Sequence, residues 1–178
     1  MGYFNSRGLR GSSLEEFINL TNNVYREKNL AIIQKIPTPI TPVKINKENK
    51  TITLAYFNEK STVDYIGVVQ GIPVCFDAKE TSKNFLPLQN IHNHQIEFMQ
   101  NFEKQNGVAF ILVYFKIYDK YFYLPFKNLK KWWEEQKNGG RKSIPFSKFE
   151  EKYQITHKGN FYVHYLEALN TYLKEENL

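Results

Sequence analysis

Val63-Asp64-Tyr65-Ile66-Gly67-Val68-Val69, then Gln70-Gly71, then Ile72-Pro73-Val74-Cys75-Phe76-Asp77-Ala78 is the stretch that decides the fold. Two runs rich in β-branched and aromatic residues flank a Gln-Gly pair, the pattern of a β-hairpin with a two-residue turn. Pairing then starts at Val69 with Ile72 and runs outward until Asp64 meets Asp77. Directly opposed residues place their Cβ atoms roughly 4.5–5.5 Å apart. Two bare carboxylates so placed repel, and a cation between them resolves the repulsion. Lys79 lies two residues beyond Asp77, so its side chain leaves the strand on the same face. Pro73 cannot donate to the ladder, and a bulge there would shift this register by one.

Asp64, Asp77 and Lys79 together spell D-x12-D-x-K. Two carboxylates to hold a divalent cation, with a lysine beside the attacking water, are what a magnesium-dependent nuclease requires. The bulk composition agrees. The chain has 178 residues, enough for one domain, with a net charge of +6 that favours a polyanionic partner. It is 42% hydrophobic and 16% aromatic, which suffices for a core. Cys75 is the one cysteine, so no intrachain disulfide forms, and a reducing cytosol is expected. No apolar run approaches the roughly 20 residues of a membrane span, and no signal peptide is visible, so a cytoplasmic, nucleoid-associated protein is expected.

Working outward, Ser13 and Glu16 form a capping box, and Leu14, Phe17, Ile18, Thr21, Val24 and Tyr25 recur at helical spacing, predicting a helix over 13–28. A strand over 31–36 follows. Pro37, Pro39 and Pro42 then impose extended chain. Residues 43–45 and 51–57 alternate around a turn at 46–49, a second hairpin that carries Lys44, Lys47 and Lys50 and projects from the body. A helix is predicted over 89–105, with Ile91, Ile96, Met99 and Phe102 inward. The apolar run 108–115 is a strand buried on both faces. A strand over 121–125, a helix over 126–137 ended by Gly139-Gly140, a basic loop at 141–143, a short helix at 147–152 and a last helix over 162–175 complete the chain. Trp132 and Trp133 are expected in the core or at a dimer surface. The order predicts an α/β fold, a restriction-endonuclease-like core with a central mixed sheet flanked by helices. It is read as a single domain, 1–178, with a projecting stalk over 37–60.

The chain resembles the RecU-type Holliday junction resolvases. The likeness runs through Arg7-Gly8, Leu14-Glu15-Glu16, Lys35 to Pro39, Ala55-Tyr56-Phe57, Ser61 to Gly67, Phe76 to Thr81, Phe85 to Asn90, His92 to Gln95 and Gly140 to Ile144. The resemblance implies a homodimer whose stalks enter a four-way DNA junction and whose two sites nick opposed strands, with Mg²⁺ or Mn²⁺ as cofactor. Family partners include a recombinase and a branch-migration motor. On this pattern Asp64 and Asp77 hold metal, together with the Ala78 carbonyl. Lys79 serves the attacking water, Glu15 completes the catalytic set, and Gln95 lies at the metal. Arg7, Arg10, Lys35, Arg141 and Lys142 are expected to contact phosphate, and Phe57 to stack on an unpaired base. His92 and His94 are expected to diverge on a helix, which argues against zinc.

The chain departs from the family in three places. Asp77 stands where Glu is usual, Val63 replaces a threonine, and residues 9–12 look inserted. Three other readings stay open on sequence alone: an inactive junction-binding module, a restriction or repair endonuclease of the same fold, and a structural dimer that only helps a partner motor.

Overall fold

The computed structural model describes residues 14–57 and 62–177. In chain order it contains α1 (Leu14–Glu27), β1 (Ala31–Lys35), β2 (Ile40–Asn46), β3 (Thr51–Phe57), β4 (Tyr65–Val69), β5 (Ile72–Thr81) and β6 (Phe85–Pro87). These are followed by α2 (Asn93–Glu103), β7 (Val108–Phe115), β8 (Lys120–Pro125), α3 (Phe126–Lys137), β9 (Ser143–Pro145), β10 (Gln154–Ile155) and α4 (Tyr165–Glu176). Six strands form the central sheet in the order β1-β4-β5-β7-β8-β10. Only β5 and β7 run parallel, with α2 in the connection between them, and the other pairs are antiparallel. The sheet is therefore mixed and, with helices on both faces, matches the expected architecture.

Side-chain alternation along β5 and β7 divides the core in two. Val74, Phe76, Phe110 and Leu112 pack beneath α1 and α4 with Ile18, Tyr25, Tyr165 and Leu169. Cys75, Ala109, Ile111 and Val113 pack on the opposite face with Ile96 and Met99 of α2 and Leu129 and Trp133 of α3. On the first face an aromatic stack crosses four strands. The ring centroids lie 4.7 Å apart for Tyr65–Phe76, 4.7 Å for Phe76–Phe110 and 4.4 Å for Phe110–Tyr123. Each such contact adds about 0.5–1.5 kcal/mol beyond buried area. Tyr65 and Phe76 are the chain neighbours of Asp64 and Asp77, so the stack also fixes the open end of their hairpin.

That hairpin has the expected register, Tyr65 opposite Phe76 through Val69 opposite Ile72, with no bulge. Gln70 and Gly71 both adopt positive φ, 48° and 90°, as a primed type I turn demands. Gln70 is held in this unfavourable conformation by its amide, which donates to the carbonyls of Asn29 (2.9 Å) and Leu30 (3.1 Å). Pro73 is harmless because it sits one position before β7 joins the strand at Val74. In a two-residue hairpin the pair after the closing one is not hydrogen-bonded, so its missing donor faces away from β4.

Gly67 has no room for a side chain, since a Cβ there would lie 2.1 Å from the Ile32 carbonyl oxygen. Gly67→Ala must push β1 away from β4, and a loss of about 1–3 kcal/mol is expected in equilibrium urea unfolding. An unchanged midpoint would show that the two strands separate freely.

β2 and β3 form a sheet of their own. β2 starts earlier than the sequence suggests and runs through Pro42, where bulges absorb the lost donor. The turn falls at 47–50, one residue later than expected. The Asn46 side chain sets it by accepting from the Glu48 and Asn49 amides.

Three further expectations need correction. The helix placed at 89–105 starts only at Asn93, after a 3-10 turn at Leu88–Asn90. His92, with ψ of 152°, stays extended as its N-cap. The short helix at 147–152 is two separate 3-10 turns, Phe146–Lys148 and Glu151–Tyr153. The basic loop at 141–143 runs into β9, which pairs with β6. At the end of α3, the Gly139 amide reaches the Gln136 carbonyl and that of Gly140 reaches Glu135, so these glycines terminate the helix in a Schellman motif.

Candidate active site

β4 ends at Tyr65, so Asp64 has just left the ladder when it comes opposite Asp77. Reciprocal bonds to the side chains replace the next rung. The Asp64 amide donates to Asp77 Oδ1 at 3.1 Å, and the Ala78 amide donates to Asp64 Oδ2 at 2.9 Å. On the other edge, the Asp64 carbonyl accepts from Ile36 at 2.8 Å, which ties the loop after β1 to the same point.

Asp77 is fully buried. Its Oδ2 accepts from Gln95 Nε2 at 2.8 Å and pairs with Lys79 Nζ. Gln95 is itself fixed, because its Oε1 accepts the His92 amide at 3.0 Å as half of a capping box. One end of its amide thus positions Asp77 while the other starts α2. Lys79 is mostly buried, with 17% of its side chain exposed. Burial first, and then the charge of Asp77, push the Asp64 carboxyl up to about 6, against the opposing pull of the Ala78 amide and Lys79. A buried and a half-buried carboxylate, with one lysine paired to the buried one, define a site short of positive charge.

Glu15 stands apart from this pair. Its carboxylate is held by Lys35, and both side chains are about half exposed. Among the described residues, the hydrogen bonds that hold the Asp64 and Asp77 carboxylates come from 64, 78, 79 and 95, none from α1. α1 is nevertheless fixed next to the site, since the Tyr65 hydroxyl lies 3.3 Å from the Glu15 carbonyl and 3.0 Å from Asn19 Oδ1. Sequence reasoning missed one acid. The Leu14 amide, at the start of α1, donates to Glu80 Oε1, and Glu80 also pairs with Lys116 at 2.6 Å. Glu80 follows Lys79 and so points to the opposite face. That parity was its only signal.

Of the expected phosphate contacts, Arg7 and Arg10 lie outside the described residues, as does Ser13 of the capping box. Arg141 and Lys142 are exposed, and the Lys142 carbonyl accepts from Leu88 at 3.0 Å. This anchors the basic loop beside the turn that leads into α2 and Gln95. Phe57, at the end of β3, is 79% exposed. His92 and His94 do not diverge. Because His92 remains extended, their rings stack with centroids 5.4 Å apart. No group of three or more His, Cys, Asp or Glu residues suited to a metal gathers among the described residues. No helix there is long and apolar enough to cross a membrane.

A mixed sheet between helix layers, with D-x12-D-x-K closed at the mouth of a hairpin, is the arrangement expected of a restriction-endonuclease-like core. The family model described as Recombination protein U, RecU, matches residues 9–171. Proteins named Holliday junction resolvase RecU are similar along most of the chain. That of Pediococcus pentosaceus is 43% identical over 176 residues, covering 96% of this chain and 87% of its own length. That of Limosilactobacillus reuteri is 43% identical, covering 90% and 81%. That of Bacillus cereus is 42% identical, covering 80% and 73%. Among solved structures, the Archaeoglobus fulgidus Hjc, a Holliday junction resolvase from an archaeal hyperthermophile, matches 62% of this chain and 77% of its own, with a TM-score of 0.37 and 9% identity. The chain belongs to the RecU family.

Proposed function

We infer that this protein is a Holliday junction resolvase, a metal-dependent endonuclease that nicks four-way DNA junctions. The observation that carries this is the closed Asp64–Asp77–Lys79 arrangement in a chain that the RecU family covers almost end to end. Asp77 is one methylene shorter than the usual Glu, yet it reaches both Gln95 and Lys79. That supports an active enzyme over an inactive binding module.

The donor set fits Mg²⁺ or Mn²⁺. It offers hard carboxylate oxygens, and the raised Asp64 carboxyl marks a pair whose joint ionisation calls for a cation. Mg²⁺ keeps several waters and needs only one or two carboxylates besides substrate phosphate. Asp64 and Asp77, with the Ala78 carbonyl, would hold it. When bound, it would polarise the scissile phosphate and neutralise developing charge. Gln95 keeps Asp77 aimed. Lys79, held on Asp77, orients the attacking water and stabilises charge that builds on phosphate in the transition state. Lys35, Arg141 and Lys142, with Arg7 and Arg10, supply phosphate contacts, so binding falls steeply with salt.

Junction selectivity rests on a homodimer and on the β2–β3 stalk. Ile45, Ile52, Leu54 and Tyr56 are 43–65% exposed on that hairpin, an unusual apolar load that supports a partner stalk and the open junction centre as its surroundings. Phe57 stacks on an unpaired base there. Phe57→Ala is expected to weaken junction binding by about 1–3 kcal/mol and leave linear-duplex binding nearly unchanged. Equal weakening on both DNAs would remove the stacking role. The enzyme acts in the cytoplasm, on nucleoid DNA, beside the recombinase and branch-migration motor.

The deciding experiment is cleavage of a synthetic mobile four-way junction against linear-duplex competitor, with and without Mg²⁺ or Mn²⁺. Paired symmetric nicks that require metal are expected. Fixed-site cleavage of the linear DNA would instead indicate a restriction or repair nuclease, and tight binding without nicks a binding module.

A further inference from the structure

The first turn of α1 is held from two strands by residues adjacent to the catalytic ones. The first N–H groups of a helix have no partner inside it. Here the N–H of Leu14 is satisfied by Glu80 Oε1, a side chain from β5 sixty-six positions away. The other Glu80 oxygen is anchored on Lys116, whose own backbone amide donates to the Thr81 carbonyl at 2.9 Å. The carboxylate is thus fixed at both ends, with only a quarter of its side chain exposed. The next residue, Glu15, has its carbonyl 3.3 Å from the hydroxyl of Tyr65, which shares its one proton between that carbonyl and Asn19 Oδ1 on the next turn of the same helix. Glu80 follows Lys79, and Tyr65 follows Asp64. The two clamps therefore transmit the placement of the D…D-x-K hairpin directly to the turn that carries Glu15 and its partner Lys35.

We propose that Glu80 is a positioning residue for the reaction, capping α1 from the sheet and so fixing the Glu15 turn in register with Asp64 and Lys79. This rests on the resolvase reading and on Glu15 acting in the reaction. A carboxylate on a helix's first N–H is also favoured by the helix dipole, so the contact is strong for its size. Gln retains an oxygen acceptor for Leu14 and loses the charge. Ala loses both.

The test combines junction nicking by the full chain with amide hydrogen exchange. Glu80→Ala is expected to lower kcat about ten- to a hundredfold, as small misplacements of a reacting group do, with KM within about twofold. Glu80→Gln is expected to recover most of that loss. In a Glu15→Gln background, Glu80→Ala is expected to add less than about a twofold further loss, because its effect passes through Glu15. Exchange at Leu14 and Glu15 should quicken in Glu80→Ala and stay slow in Glu80→Gln. The proposal is overturned by unchanged kcat in Glu80→Ala, by full additivity with Glu15→Gln, or by unchanged exchange. A wild-type chain that does not nick would sink the functional reading separately, and the exchange data would still decide whether Glu80 caps α1. If Glu80→Ala fails to fold, Glu80→Met, which keeps the bulk of the side chain and removes its oxygen acceptors, replaces it in the same cycle and in the exchange measurement.

Discussion

Asp77→Asn should lower nicking of a four-way junction by about 10³-fold, while junction binding at constant salt stays within a few-fold of wild type. The side chain accepts from three donors, the Asp64 amide on one oxygen and Gln95 and Lys79 on the other. An asparagine has a single acceptor oxygen. Whichever way its amide turns, an NH₂ meets a donor, and the pair loses half its charge for holding a cation. Calorimetric titration with Mn²⁺ should show the loss of affinity directly. Nicking within tenfold of wild type would mean that Asp77 does not hold the reaction centre, and the assignment of the whole site would fall with it. Unchanged metal affinity with lost nicking would move Asp77 from metal binding to another step.

The hairpin that carries these acids was legible because its information is local. The alternation of residues 63–69 and 72–78 and the turn at 70–71 determine which side chains oppose, and one position beyond the last paired rung Asp64 meets Asp77 through its amide. α3 was legible at both ends for the same reason, with Pro125 before it and the glycine stop after it. β6 and β9 were not. Each has three residues, and each is a strand only because the other lies beside it, nearly sixty positions away in the chain. The start of α2 was misplaced because the apolar spacing runs through Ile91, whereas the helix begins where Gln95 accepts the amide of His92. Gln95, expected beside the acid pair, does donate to Asp77. What the sequence could not show is that both ends of its amide are already committed.

The site's second layer was hidden for a physical reason. Tyr65 and Glu80 look like strand residues on the face away from the chemistry, and they are. Their importance comes from α1 crossing that face, which no local pattern encodes. The sheet thus carries its acids and lysine on one side and, from the next residues along, clamps a helix on the other. A shift of the hairpin by one register would exchange the two faces and destroy both at once.

Lys79→Met should strongly destabilise the folded protein without added cation. Asp77 is fully buried and Lys79 mostly so. Breaking a buried ion pair by removing one partner costs about 3–5 kcal/mol, because the remaining charge keeps its desolvation penalty. Gln95 and the Asp64 amide still solvate Asp77, so a loss near 3 kcal/mol is expected, or a fall of about 6–12 °C in Tm for a domain of this size. Nicking should drop about 10²–10⁴-fold, the range for losing a group that serves proton transfer and charge stabilisation. The informative arm is added Mg²⁺. A cation at Asp64 and Asp77 replaces the missing positive charge, so Mg²⁺ should raise the Tm of Lys79→Met more than that of wild type, through its tighter linkage to the folded state. Stability would then return while nicking would not, which separates the structural work of Lys79 from its chemical work. If Mg²⁺ shifts both proteins equally, the lysine and the cation do not share the Asp77 charge, and the metal must be sought elsewhere in the fold.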